Sequence, residues 1–353
     1  MLLKTIWHRY SWMLIFFAIL LFCGELNENR VLWFWIHWQT TARVALSRGH
    51  DVVSVVDVDE IIVSRDVGEV LGVGSMGVKI TKDVSELELA DVVIHATGSY
   101  LDKTFNQIAS VVRMGIDVVS TCETLAYPYY RYPILSIRLD QLARENGVVV
   151  IGTGINPGLL LDTLVVVVAA SIPTVKGIRA VRSVDAARRR ESFRRKIGVG
   201  EDPRIVLEKL SKGMITGHVG YAESVHLIAL AGDLQLDKVI EGQEPVVAEE
   251  NIDSGGVMVE KGLNKGIKGF GAGYVKEREV IKLEFHAYVE APEFEEIEII
   301  GEEHTVKWRS TGTHGDLGTA AVILNVAEKI RYLEPGLRLM TDLLPFKIRF
   351  LTK

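Results

Sequence analysis

RVLWFWIHWQTTARVALSRGHDVVSVVDVD, residues 30–59, is the stretch on which the fold turns. Arg30–Trp35 is mostly apolar and reads as a strand. Thr40–Gly49 reads as a helix that Gly49 can end. Val52–Val58 is mostly valine, the composition of a parallel strand buried on both faces, with Asp57 and Asp59 at its carboxyl end. Strand, helix and strand with an acid at the close is the opening unit of a doubly wound sheet that binds a dinucleotide. Such a unit carries a G-x-G-x-x-G turn, which lets the pyrophosphate approach backbone N–H groups at the helix terminus. Here Trp33, Trp35 and Trp38 stand at the same 0, +2, +5 spacing. Asp57 follows about 20 residues on, where a carboxylate accepts hydrogen bonds from the adenosine ribose. The indoles would fill the pyrophosphate volume and strain a left-handed backbone. Three readings stay open: a sequence altered at three positions, a protein with an impaired nucleotide site, and a different alignment of the turn.

Outward from this unit the alternation continues. Strands are expected at Val92–Ala96, Ile116–Ser120 and Val148–Ile151. Between them, Leu101–Met114 carries Phe105, Ile108, Val111 and Val112 at helical spacing, and Ile134–Asn146 follows Pro133 and precedes Gly147. The pattern predicts an α/β protein, a Rossmann-like parallel sheet joined to a second mixed α/β domain. After residue 156 a very apolar helix, Leu159–Ala170, precedes strands at Ile178–Asp185, Glu277–Val289 and Glu296–Ile300. A helix over Thr319–Tyr332 is expected to cover the first domain. The expected division is 1–29 as an atypical apolar extension, 30–155 as the dinucleotide-binding-like domain, 156–318 as the substrate and dimerisation domain, and 319–353 as a returning helix and tail.

The amino end departs from the rest. Five of the six tryptophans lie in the first 38 residues, and Trp12–Cys23 (WMLIFFAILLFC) is continuously apolar behind Lys4 and Arg9. Twelve residues fall short of the roughly 20 needed to cross a bilayer. The stretch has the length of a signal-peptide core, yet no small-x-small cleavage site follows it. It is read here first as an extension outside the folded domain, with a targeting segment and a divergent structural element as the alternatives, and membrane attachment is not favoured. A formal net charge of -6 argues against a nucleic-acid binder. Two cysteines, Cys23 and Cys122, make neither a disulfide framework nor a metal set, and fit a reducing, cytoplasmic setting. No H-E-x-x-H or compact histidine–carboxylate cluster marks a metal site.

Eight segments in order resemble the 2,4-diaminopentanoate dehydrogenase family, which is related to dihydrodipicolinate reductases and includes native amine dehydrogenases. They are VVDVD at 55–59, ATGS at 96–99, STCETLAYP at 120–128, GTGINPG at 152–158, RSVDAARRRESFRRKIGVG at 182–200, GHVGYAES at 217–224, THGDLGTA at 313–320 and EPGLRLMTDLLP at 334–345. The resemblance implies a homodimer of two-domain subunits. It also implies reversible oxidative deamination of an amine or 2,4-diamino acid to a ketone plus ammonia, with NAD or NADP as hydride acceptor.

Specific residues carry the expected chemistry. Thr97 and Gly98 follow a parallel strand at its carboxyl end and should pass near the nicotinamide. Glu123 is the expected catalytic residue, since by resemblance the STCE glutamate faces the substrate amine. A carboxylate there can move protons during attack and departure of ammonia and water, and can stabilise a cationic iminium. Asn156, in Asn156-Pro157-Gly158, is expected to hold substrate or nicotinamide, or to cap the following helix. His218 and His314 are each a substrate contact or a structural histidine. Cys122 reads as packing or pocket lining and not as a nucleophile. The basic run from Arg188 to Lys196 reads as a solvated face, a dimer contact or an anion site, and one of its arginines would suit a carboxylate-bearing substrate. Asp57 favours NAD, because it repels a 2′-phosphate. Competing readings are a reductase acting on C=N or C=C bonds of a cyclic diacid, and a non-catalytic homologue that lost its nucleotide site.

Overall fold

A computed structural model describes residues 13–17 and 35–351 of the chain. The amino-terminal half alternates strand and helix: β1 (Met13–Phe17), α1 (Trp35–Ser47), β2 (Asp51–Val56), α2 (Val67–Leu71), β3 (Ile80–Thr81), β4 (Val92–His95), α3 (Leu101–Arg113), β5 (Asp117–Ser120), α4 (Pro133–Glu145) and β6 (Val149–Gly152). These strands pair in parallel in the order β6-β5-β4-β1-β2-β3. Chain direction through the sheet reverses between β1 and β4, which opens a crevice beyond their carboxyl ends. The valine-rich runs form these strands because helices cover both faces, so neither face needs polar side chains. Val55, Val93, Val118 and Val150 are fully buried.

The first strand corrects the sequence reading. It is Met13–Phe17, seated between β2 and β4, within the stretch expected to lie outside the domain. Residues 30–34 of the expected strand lie outside the described residues, and Trp35 already begins α1. Two of the three tryptophans in the 0, +2, +5 spacing, Trp35 and Trp38, therefore lie on a helix. Trp38, Ala42 and Ala45 repeat at helical intervals and are buried with Val52 and Val55 in one core. Trp38 is a packing residue of a helix.

The carboxyl-terminal half builds a second layer. α5 (Thr163–Ala169), β7 (Val175–Asp185), α6 (Glu191–Lys196), α7 (Pro203–Ser211) and α8 (Tyr221–Ala231) precede β8 (Lys238–Val247), β9 (Ile252–Ser254), β10 (Val257–Val259), β11 (Asn264–Val275), β12 (Arg278–Tyr288), β13 (Phe294–Gly301) and β14 (Thr305–Arg309). Six of these strands form a mixed sheet, β14-β13-β7-β12-β11-β8, in which β7 and β12 are the parallel pair. Helices α5 and α8 cover one face, where Val165, Val225, Ile228, Ile281, Leu283 and Ile297 share a core. The side chains alternating with that face on β12, from Lys282 to Tyr288, are half-buried.

Glycines of β11 let α8 lie against the strand. A Cβ at Gly269 would meet the Tyr221 hydroxyl at 2.0 Å, and one at Gly273 would meet Val225 at 2.9 Å. A strand rich in glycine marks such close approach. The chain then returns through α9 (Gly315–Ile330), whose Ile323, Leu324 and Ala327 join the Trp38 core, and β15 (Gly336–Arg338), which pairs with β6. The tail ends against the second sheet, with Ile348 and Phe350 buried there.

Candidate active site beyond the parallel strands

The loops after β4 and β5 are tied to each other. The Thr124 N–H donates to the Ser99 carbonyl (3.1 Å), and the Leu101 N–H donates to the Thr124 hydroxyl (2.9 Å). This fastening holds Glu123, at the start of a short helical turn, beside the Thr97–Tyr100 loop. Below it a buried polar chain joins the two strands. His95 Nδ1 meets the Ser120 hydroxyl at 2.8 Å, and His95 Nε2 meets Gln107 at 3.0 Å and Thr97 at 2.9 Å. The Thr97 hydroxyl also donates to Gln107, so its side chain serves the loop, and a cofactor would meet the turn through its backbone. Gly98 is half-buried there.

The Glu123 side chain is 21% exposed and faces Lys196 Nζ of α6 at 4.0 Å. Burial lowers the Lys196 pKa, Glu123 pulls it up, and Arg190 and Arg189 push it down. Tyr100 sits on the same side. Burial raises its phenol, Arg131 lowers it, and Glu123, Glu241 and Glu223 raise it.

Asn156 and His218 come together as expected of two groups serving one site: Asn156 Nδ2 and His218 Nε2 are 3.2 Å apart. Asn156 Oδ1 is buried without a hydrogen-bond partner, an acceptor whose lack of a partner calls for an explanation such as a bound donor. The His218 ring is wedged against Tyr221 and Phe285, with both ring centroids 4.7 Å away. Burial, then the charges of Lys196 and Arg182, hold His218 well below the ordinary imidazole value, so it is neutral. His314 is placed differently. It is exposed, and its Nδ1 accepts the Leu317 N–H at 3.3 Å as the cap of α9. The structure gives it a capping role and does not bring it to Asn156.

The basic run divides in two. Arg188 and Arg195 are solvated, at 71% and 48% exposed, whereas Arg189, Arg190 and Lys196 are buried to 14%, 15% and 12%. Arg189 and Arg190 reach Asp316 at 3.3 and 3.7 Å. Lys196 was named in the sequence as the end of the basic run, with nothing to set it apart from the arginines. Its only sign there is a position ending the run before Gly198. A second missed group is Arg131, salt-bridged to both Glu223 of α8 and Glu241 of β8. Cys122 is buried and its thiol is pushed up to about 12 by burial, which suits packing and not nucleophilic attack. Cys23 lies outside the described residues.

At the far side of the crevice Asp57 ends the strand that follows α1. Its Oδ1 accepts the Asp59 N–H at 3.0 Å, and burial raises its carboxyl to about 6, offset by hydrogen bonds that include the Trp38 indole. An anionic acceptor in that place fits an adenosine ribose. Of the expected cofactor contacts at Trp33, Trp35 and Trp38, the two described ones do not stand in a phosphate turn. Trp33 lies outside the described residues, Trp35 opens α1, and Trp38 is 1% exposed in the core.

A parallel sheet wound about a switch point and joined to a mixed-sheet domain defines the two-domain Rossmann-like oxidoreductases. Residues 159–349 match the model of the 2,4-diaminopentanoate dehydrogenase C-terminal domain. The curated 2,4-diaminopentanoate dehydrogenase of Acetoanaerobium sticklandii is 32% identical over 295 residues, 81% of each chain. The protein belongs to the 2,4-diaminopentanoate dehydrogenase family. Among solved structures, an amine dehydrogenase from Mycobacterium smegmatis superposes with a TM-score of 0.80 at 19% identity, covering 98% of this chain and 99% of that one. GenD2 from gentamicin A biosynthesis, in complex with NAD, gives 0.56 at 14% identity, covering 97% and 93%. These two likenesses establish the shared fold.

Proposed function

We propose that this protein catalyses the reversible oxidative deamination of an amine or 2,4-diamino acid to a ketone and ammonia, with NAD or NADP as partner. The observation that carries the reading is Glu123, a half-buried carboxylate beyond β5, fastened to the turn after β4 and opposed by Lys196 at 4.0 Å. The identity to the Acetoanaerobium enzyme supports the substrate class. Asp57 would hold the adenosine ribose and the Thr97–Gly98 backbone would flank the nicotinamide. The nicotinamide supplies the acceptor for the hydride leaving the amine carbon. Glu123 takes a proton from the substrate ammonium, so that the nitrogen lone pair can assist that departure. It gives that proton up to solvent, and the restored carboxylate then faces the cationic iminium, stabilising its charge. Water adds to the iminium carbon, and Glu123 relays a proton from the added water to the leaving nitrogen. The balance is one ammonium, one water and oxidised cofactor giving ketone, ammonium ion, reduced cofactor and one proton. Asn156 and His218 orient the substrate through neutral hydrogen-bonding groups.

Glu123→Gln should lower kcat by about 10²–10⁴-fold while the circular dichroism spectrum stays that of the parent. Turnover unchanged in that variant would remove Glu123 from the chemistry. Calorimetry should show NADH binding more tightly than NADPH, because Asp57 repels a 2′-phosphate. The working unit is taken to be a homodimer, which rests on the family resemblance, in the cytoplasm, which rests on the cysteine usage. Light scattering during gel filtration tests the first, and a monomer would refute it.

A further inference from the structure

The chain around Lys196 is built to hold that side chain in place. Lys196 ends α6, and its carbonyl accepts the Gly217 N–H at 3.0 Å, which ties the helix to the loop carrying His218. The next residue, Ile197, is fully buried. Asn264 of β11, also fully buried, donates to the carbonyls of Ile197 (2.9 Å) and Gly198 (2.7 Å). On this pinned backbone the Lys196 side chain is 12% exposed, with Nζ 4.0 Å from Glu123 Oε1. At that separation the two charges attract, yet the contact is too long for a hydrogen bond, so the oxygen stays open to a donor from the substrate. The other titratable groups nearby do not replace the lysine charge. Tyr100, from the loop after β4, and Cys122, beside Glu123, are both raised by burial and stay neutral. Arg131 is offset by Glu223 and Glu241, Arg189 and Arg190 reach toward Asp316, and His218 is neutral. Burial works against the Lys196 charge, Glu123 supports it, and Arg190 and Arg189 oppose it. A cation within about 4–6 Å of a carboxylate favours the anion.

We propose that Lys196 is a positioning residue for the deamination: its ammonium, standing 4.0 Å off Glu123, keeps that carboxylate in the ionised form that accepts the substrate's proton, without occupying the oxygen that does so. This rests on the reading of Glu123 as the proton acceptor and deepens it. Lys196 itself exchanges no proton with the substrate and acts only through its charge. The lysine therefore governs how far into acid the enzyme keeps a working base. Without it, the half-buried carboxylate takes up a proton at higher pH, and the protonated acid cannot accept another from the substrate ammonium.

The test follows kcat/KM for oxidation of 2,4-diaminopentanoate across the acid side of the pH profile in the parent, Lys196→Met and Lys196→Arg, with Glu123→Gln as the reference. Infrared spectra over the same range follow the carboxyl band of protonated Glu123, recognised by its absence in Glu123→Gln. In Lys196→Met the acid limb should move up by about 1–2 pH units, and the carboxyl band should appear at correspondingly higher pH. The deficit against the parent is then largest at the acid end, about tenfold, and shrinks as pH rises. Lys196→Arg keeps the charge and should keep the parent's limb. Should Lys196→Met not fold, Lys196→Gln takes its place. A loss of equal size at every pH, with limb and band unmoved, means that the lysine serves packing alone and overturns the proposal; an inactive Glu123→Gln then leaves the deamination reading standing. A limb displaced as far in Lys196→Arg as in Lys196→Met also overturns it, since charge is not what the position supplies. Parent-like turnover and limb in Glu123→Gln refute Glu123 as the proton acceptor and the role of Lys196 with it. A parent that turns over no amine, while its carboxyl band still shifts with loss of the lysine, refutes the deamination reading and upholds the pairing.

Discussion

Gly220 lies at φ +111°, and a Cβ there would come within 2.6 Å of the Pro157 ring. Pro157 follows Asn156, so this glycine secures the loop that brings Asn156 against His218. Gly220→Ala should cost about 1–3 kcal/mol through the left-handed backbone, with further loss from the clash. It should also raise KM for the amine. Urea unfolding and steady-state kinetics check both, and parent-like values for each would show that the loop yields without consequence. Asn156 and His218 were each legible from their motifs, because proline and glycine punctuate both segments. Their 3.2 Å contact was not, since no local pattern links positions so far apart in the chain. Lys196 was hidden for a related reason. In a run of basic residues, only the packing of the second domain decides which are buried. His314 illustrates the opposite case: a histidine before a helix reads equally as a site residue or a cap, and the Leu317 N–H decides for the cap.

At the level of elements, the short parallel strands were legible because burial on both faces leaves continuous valine and isoleucine, and glycines or prolines punctuate the helices between. β1 was not legible. An apolar run behind basic residues has the same composition whether it crosses a sheet or leads a secreted chain, and only pairing with β2 and β4 separates the two. β11 was missed because its alternate glycines erase the apolar alternation that marks a strand, their purpose being contact with α8. The β4–β5 pair carries a prediction of its own. His95, fully buried between them, is held neutral, its pKa lowered to about 4 by burial although Gln107 pulls it up. In the unfolded chain it protonates near the ordinary 6.5, so on acidification the unfolded state takes up the proton first. The associated stability is therefore fully present above about pH 6.5 and is lost as pH falls toward 4, amounting to about 3 kcal/mol. His95→Gln should flatten this dependence. The parent minus variant difference in unfolding free energy, measured between pH 7 and 4.5, should fall with acidity, and a constant difference would show that His95 does not titrate on unfolding.

At the scale of the whole molecule, the two halves meet through charge as well as through the returning α9. Arg131, from the loop after β5, is bonded to Glu223 on α8 and Glu241 on β8, so one guanidinium spans the nucleotide-type sheet and the second domain. Glu223 is fully buried, and burial raises its carboxyl to about 7 even though Arg131 draws it down. Burial works equally against the Arg131 charge, which the two carboxylates more than restore. Arg131→Met leaves Glu223 buried without its cation. Breaking such a pair costs about 3–5 kcal/mol when the remaining group stays ionised. The carboxyl has an alternative, which is to keep its proton. Without Arg131 its folded pKa lies still further above the unfolded value of about 4.3, so the folded state holds more protons across that window. The variant should therefore gain stability as pH falls from 8 toward 5, and its deficit against the parent should be largest at pH 8. Urea unfolding at pH 8 and pH 6 reads this directly, with kcat followed in parallel because Tyr100 senses both Glu223 and Glu123. A deficit of the same size at both values would mean that the arginine acts by packing alone, and that the charge bridging the two halves contributes nothing to holding them together.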